Sequence, residues 1–299
     1  MIQISSLPTE QRNPNTMDID RVSTLEMVCR INAEDKKVAF AVERELEHIA
    51  EAVDAAFESL RDGGRLIYCG CGTSGRLGVL DAAECPPTYS ADPGMVMGVI
   101  AGGDSAMFRA VEGAEDDAGA GREQMRQISL SARDTLVGIA SSGRTPYVLG
   151  AMAYAREIGA TTVALTCNKA SEMNAAADIS IGIEPGPEVI TGSTRMKCGT
   201  AEKMVLNMLS TGAMIRLGKV YGNLMVDVMP TNEKLVCRAV SIVATAAGVE
   251  EAVARRTLEQ CGFSVKTAIV MLLRGLSAGD AAELLNKNGG IVAKALEEG

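Results

Sequence analysis

Tryptophan is absent from this chain, phenylalanine occurs 4 times and tyrosine 5 times, so aromatic residues make up only 3% of the 299 residues. Stacking platforms for nucleobases need such rings. Their scarcity, with a formal net charge of -9, argues against nucleic acid as a partner. The same balance disfavours an anionic membrane surface, so any anion site must be a local pocket. Histidine occurs once, as His48, in a helical pattern that reads as a partly exposed helix residue. That leaves no basis for a His-rich metal site or a Ser-His-Asp triad. The 8 cysteines include no Cys-x-x-Cys pair and read as reduced thiols, mostly buried. No apolar run is long enough for a membrane span, and Met1-Ile2-Gln3-Ile4-Ser5-Ser6 has neither the charged nor the apolar region of a leader. A cytoplasmic location is the expectation.

What the chain has is apolar material, 47% of residues, and 31 glycines. That suffices for one substantial α/β domain with a smaller appendage. Residues 1–16 read as an extended arm. From Asp18 the pattern turns helical, Thr24–Ile31 carries helical spacing, and a long helix is expected from about Ala33 to Arg61, ended by Gly63-Gly64. Strands are then expected at 65–69, 95–101, 135–140, 161–166 and 178–183. Helices are expected at 74–83, 104–113, 116–128, 145–158 and 196–217. Strands that are apolar throughout and separated by helices predict a doubly wound parallel five-stranded sheet, α/β in class, with ligands at the C-terminal strand ends. After Pro230 short helices at 232–246, 248–259, 263–273, 278–286 and 290–298 suggest a small helical bundle. The domains would be 1–56, an arm with N-terminal helices; 57–220, the sheet domain; and 232–299, the bundle.

Two stretches echo one another. Leu66-Ile67-Tyr68-Cys69 runs into Gly70-Cys71-Gly72-Thr73-Ser74-Gly75-Arg76, and Leu136-Val137-Gly138-Ile139 runs into Ala140-Ser141-Ser142-Gly143-Arg144-Thr145-Pro146. A buried strand ending in small hydroxyl residues at a helix start aims N–H groups and hydroxyls at an anion. Two such loops suggest a doubly gripped phosphate on a small uncharged body such as a sugar. Gly70, Gly72 and Gly75 also satisfy G-x-G-x-x-G, but no acidic residue closes the second strand, and Arg76-Leu77 stands where a Walker loop needs Lys-Ser/Thr. Arg76 and Arg144 suit either phosphate or neighbouring carboxylates.

Glu84 precedes Pro86-Pro87 at the expected end of the first helix, where a carboxylate opposes the helix dipole. Such a position suits either a solvated end or an acid catalyst. A straight helix would put Glu84 roughly 15 Å from Ser74, so either the helix breaks early or Glu84 serves a neighbouring subunit. Glu112-Gly113-Ala114-Glu115-Asp116-Asp117 reads on its own as solvated surface or helix capping. In the block Gly186–Lys203, Arg195, Lys197 and Lys203 crowd the positive end of a helix, which favours a substrate or subunit contact.

Taken together these motifs resemble the phosphosugar-binding SIS domain over 57–220. More closely they resemble the N-acetylmuramic acid 6-phosphate etherases, through Arg12-Asn13-Pro14-Asn15-Thr16, the Gly70–Gly78 loop, Asp81–Thr88, Val111–Asp116, Ser142–Tyr147 and the Gly186–Lys203 block. The pattern extends to glucokinase regulatory proteins. The resemblance implies cleavage of the D-lactyl ether of the phosphorylated sugar without metal or redox cofactor. It makes Glu84 the acid and Glu115 a second acid/base, against the plain reading of Glu115. It implies substrate and phosphate contacts from Gly72, Thr73, Ser74, Ser141, Ser142, Thr145, Ser193, Arg195 and Lys197. The apolar stripe of the N-terminal helices and the distance between Glu84 and Ser74 suggest a homodimer. A non-catalytic regulator and a sugar-phosphate isomerase are the alternatives, and the presence of both glutamates favours the etherase.

Overall fold

The computed structural model describes residues 8–228, 230 and 232–297; residues 1–7 of the expected arm and the last two of the expected bundle lie outside them. The chain divides into two compact units. One takes the described residues up to Ala83 with Gly94–Thr211, and the other takes Glu84–Pro93 with the chain from Gly212 on.

The first unit is built on strands β1 (Leu66–Gly70), β2 (Val96–Ile100), β3 (Thr135–Ile139), β4 (Thr161–Thr166) and β5 (Ile179–Gly182). All pair in parallel, in the order β2-β1-β3-β4-β5. Every residue of β1 and β3 is buried. Successive strand side chains point to opposite faces, so both faces of the sheet are covered and the doubly wound expectation holds. The covering helices include α1 (Thr24–Glu43), α2 (Leu46–Arg61), α3 (Gly72–Tyr89), α4 (Ala118–Gln127), α5 (Pro146–Glu157), α6 (Glu172–Ala176) and α7 (Lys197–Arg216). Side-chain caps start several of them: Ser23 accepts from Glu26 N, Asp117 from Ala120 N and Ser171 from Asn174 N. These caps satisfy donors that a first helical turn leaves free.

The strand order places a switch point between β1 and β3. From β1 the chain moves outward to β2, then returns to β3 on the other side, so the loops leaving β1 and β3 part at adjacent strand ends. Such crevices hold ligands in open α/β sheets.

Where the sequence suggested a boundary near residue 56, the structure groups α1 and α2 with the sheet. Four further expectations need correction. The expected helix from Ala33 to Arg61 is interrupted at Arg44-Glu45, where Glu45, only 2% exposed, turns inward to pair with Lys169 Nζ at 2.6 Å. The helix expected at 104–113 is one 3-10 turn, Asp104–Met107. Glycines with positive φ at 102, 103 and 113 flank the segment, and Phe108 and Val111 point outward, so no apolar face fastens it. The arm described from Pro8 on is a series of 3-10 turns at Pro8–Glu10, Pro14–Thr16 and Ile19–Arg21. Finally, α3 runs through Pro86 and Pro87 to Tyr89, so the early break raised for Glu84 does not occur.

In the second unit the end of α7 leads into an antiparallel hairpin of two-residue strands, β6 (Val220–Tyr221) with β7 (Leu224–Met225). Helices follow at α8 (Glu233–Ala247), α9 (Glu251–Gln260), α10 (Val265–Arg274), α11 (Ala278–Lys287) and α12 (Val292–Glu297). Asn232, Ser264 and Ser277 cap three of them, and Gly248 and Gly275 end two in the left-handed conformation. Val243, Leu258, Ile269 and Val292 sit in its apolar core.

Candidate active site

The β1 loop is tight. α3 begins at Gly72, two residues past the strand. A Cβ on Gly75 would stand 2.6 Å from Gly70 O, and one on Gly70 would meet Gly75 N at 2.7 Å. Only glycine at both positions lets the helix start this close to its strand. The loop after β3 is longer and reaches α5 through Thr145, whose successor Pro146 sits at the first helical position. Gly143 has φ +66, and a Cβ there would lie 2.3 Å from Ser171.

Both loops open onto one cavity of about 310 Å³ in the sheet unit. Of the residues expected to bind, Gly72, Thr73, Ser74, Ser141, Ser142, Thr145, Ser193 and Arg195 all line it, and so does Glu115. Thr9 and Glu10, from the arm, complete the wall; sequence reasoning missed both, because nothing local ties a 3-10 turn to a distant strand end. An adjoining cavity of about 160 Å³ shares Cys71, Gly72 and Glu115 and is lined on its far side by Arg76, Ala106, Ala110 and Val111. Arg76 donates from Nε to Met107 O.

Glu115 is exposed on a 3-10 turn, Ala114–Asp116, entered through Gly113 in the left-handed conformation. Capping of α4 falls instead to Asp117. The acidic run is thus divided, one member serving the helix and another facing both cavities. Glu84 is exposed on α3 and belongs to the other unit.

The three cations near the α7 N-terminus separate. Arg195 is exposed at the cavity. Lys197 is 1% exposed, does not line the cavity, and donates to Glu34 Oε2 at 2.9 Å and to Pro187 O at 3.1 Å. Lys203 pairs with Asp81 Oδ1 at 3.2 Å. Burial alone would raise the Glu34 carboxyl, but hydrogen bonds from Lys37, Lys197, Asn13 and Asn15 outweigh it and hold its pKa at about 2, below the ordinary 4.5.

Glu202 is the residue that the sequence did not bring forward. It is fully buried on α7, and its Oε1 accepts from Ser74 Oγ at 3.0 Å and from Ser141 Oγ at 2.8 Å. One carboxyl oxygen therefore joins the two loops. Its Oε2 is buried with no hydrogen-bond partner among the described residues. Burial pushes the carboxyl up to about 7, the two serine hydroxyls pull it down, and Glu188 nearby raises it. A signal was available: Cys198, Ala201, Glu202, Val205 and Leu209 form the buried stripe of α7, and a carboxylate within an apolar stripe calls for a partner.

All eight cysteines are reduced thiols, Cys29 and Cys237 being exposed. His48 lies on α2 within 3.2 Å of Glu45 and is half exposed. No helix among the described residues is long and apolar enough to cross a membrane.

Comparison with known proteins agrees with this geometry. The glucokinase regulatory protein N-terminal SIS domain matches residues 48–156, and the SIS domain matches 117–212. A solved phosphoheptose isomerase from Neisseria gonorrhoeae shares the fold, with a TM-score of 0.50, 22% identity, and coverage of 64% of this chain and 98% of that one. An N-acetylmuramic acid 6-phosphate etherase from Clostridium botulinum is 58% identical over 297 residues, covering 99% of this chain and 98% of its own. Another, from Caldanaerobacter subterraneus, is 53% identical over 294 residues, covering 98% and 96%. With identity of this order sustained across almost every residue of both units, the chain belongs to the N-acetylmuramic acid 6-phosphate etherase family.

Proposed function

We propose that this protein cleaves the D-lactyl ether of N-acetylmuramic acid 6-phosphate, giving N-acetylglucosamine 6-phosphate and D-lactate. The observation that carries this reading is the meeting of two hydroxyl-bearing loops and Glu115 on one cavity at the sheet switch point, in a chain of the etherase family. The phosphate sits against the first turns of α3 and α5, where free N–H groups favour an anion. Thr73, Ser74, Ser141, Ser142, Thr145 and Ser193 supply hydroxyls, and Arg195 supplies charge from the rim. Lys197 acts from behind, tying the Pro187 carbonyl to α1 through Glu34.

The ring-opened sugar carries an aldehyde at C1, which acidifies the C2 proton. Glu115 takes that proton while Glu84 protonates the lactyl oxygen leaving C3, and the electron pair of the C2–H bond becomes a C2–C3 double bond. Glu84, now a carboxylate, takes a proton from water as the oxygen adds to C3, and Glu115 returns its proton to C2. Both groups end as they began. Glu84 acts in the cavity of a second copy of the chain, so the active form is a homodimer.

Turnover in ¹⁸O-labelled water tests the scheme. Unlabelled D-lactate with label at C3 of the amino sugar is expected. Label in lactate would mean cleavage on the lactyl side and would overturn it.

A further inference from the structure

Each of the serines joined by Glu202 has a single hydroxyl proton to give. In the structure both protons go to Glu202 Oε1. A phosphate resting on the two loops needs those same protons. Once Ser74 and Ser141 turn to it, an ionised Glu202 would face two hydroxyl oxygens with no donor, beside a dianion and inside a buried stripe. A proton on the carboxyl removes the conflict. The acid then donates to one serine oxygen, and that serine donates to phosphate.

We propose that Glu202 is a positioning residue that takes up one proton when the sugar phosphate binds, and that the neutral acid then holds one of the two serines in its phosphate-donating orientation while no longer repelling the oxygen of the other. The proposal rests on the phosphate reading of the cavity. It stands on the shared Oε1 contact, the burial of the carboxyl and the unpartnered Oε2. The elevated proton affinity of the group is in keeping with it.

Other titratable groups surround the site. Glu188, on the loop before α7, is occupied on both oxygens by the backbone N–H groups of Lys197 and Cys198. The Cys167 thiol, just past β4, interacts with Cys198, Glu202 and Glu188 and is held well above its ordinary value. Glu10, Glu115 and Arg195 stand in the cavity wall. The phosphate monoester has its second pKa near 6, so above pH 7 it contributes little to any proton count.

The test is calorimetric titration of the full chain with N-acetylglucosamine 6-phosphate at pH 7.0 to 8.5. Two phosphate-free buffers of different ionisation enthalpy are used at each pH. Wild type should approach uptake of one proton per site at the upper end, with Kd rising about tenfold per pH unit. Glu202→Gln supplies the donor permanently, so it should bind with no proton uptake and a flat pH profile. Difference infrared spectroscopy of wild type should show a protonated carboxyl band appearing on ligand addition, a readout that needs no variant. Binding without proton uptake, or uptake retained in Glu202→Gln, would overturn the proposal while leaving the phosphate site standing. No binding at any pH would overturn the phosphate site and the proposal together.

Discussion

The two units bury different material. In the sheet unit Glu34, Glu45, Asp81, Asp134, Glu188, Lys197 and Glu202 are all buried, whereas the buried polar residues described in the helical unit are Thr257 and Thr267 alone. The helical unit is an ordinary apolar core whose helices are capped at their ends. The sheet unit holds charge inside, and its placement is informative: Lys197–Glu34 fastens the loop before α7, Asp134 accepts from Arg65 at the starts of β3 and β1, and Glu202 joins the two hydroxyl-bearing loops. Buried charge here orients loops; apolar burial alone suffices where no loop needs an exact direction.

The comparison can be broken first at the chemistry. Glu84→Ala and Glu115→Ala should each lower lactate release about 10²–10⁴-fold, with unchanged circular dichroism because both side chains are exposed. Mixing the two inactive variants under subunit exchange should restore part of the activity in heterodimers, and no recovery would remove the shared-site arrangement.

Next comes the buried pair. Lys197→Met should destabilise the protein by about 3–5 kcal/mol, since it leaves Glu34 buried with fewer donors; urea unfolding at neutral pH measures it. Glu34 is depressed in the folded state, so its contribution is present above pH 4.5 and is lost as pH falls toward 2. Removing Lys197 lessens that depression, so the variant should lose less stability than wild type between pH 4.5 and 2.

Glu202 should slope the other way. Its folded value of about 7 lies above the ordinary 4.5. The folded state therefore holds the proton longer, and stability should fall between pH 4.5 and 7 by about 3 kcal/mol. Glu202→Gln should flatten that decline, as unfolding series at pH 5 and pH 8 would reveal. In the helical unit, Ile269→Val should cost about 0.5–1.5 kcal/mol, with no dependence on pH across this range. The smallest effect belongs to the Arg122–Glu157 pair, in which Glu157 is exposed and Arg122 half-buried, where Glu157→Ala should change stability by less than about 1 kcal/mol in the same assay.

The strands and most helices were legible because apolar runs and caps are local. β4 falls at Thr161–Thr166 as expected, and α5 and α7 lie within two residues of expectation. Pro86-Pro87 misled, since a helix already fastened to a sheet can carry prolines near its last turn. Segment 104–113 misled the other way, because Met107, Ala110 and Val111 supply helical spacing while Phe108, Ala110 and Val111 stay exposed. Among the site residues, the glycines and hydroxyls announced themselves by the repeat of one loop pattern. Lys197 was read as a cation at a helix start awaiting a substrate or subunit contact, whereas the anion it meets is Glu34, 163 residues away.

By itself the sequence determined a parallel sheet with two hydroxyl-rich loops leading into helices, because strand burial, glycine at close approaches and helix starts are set by neighbours along the chain. Only the tertiary structure decided that Ser74 and Ser141 share a carboxyl oxygen 128 and 61 residues away. The ionisation of Glu202 depends on that meeting and on the loss of water around it, and neither is written in any stretch of consecutive residues.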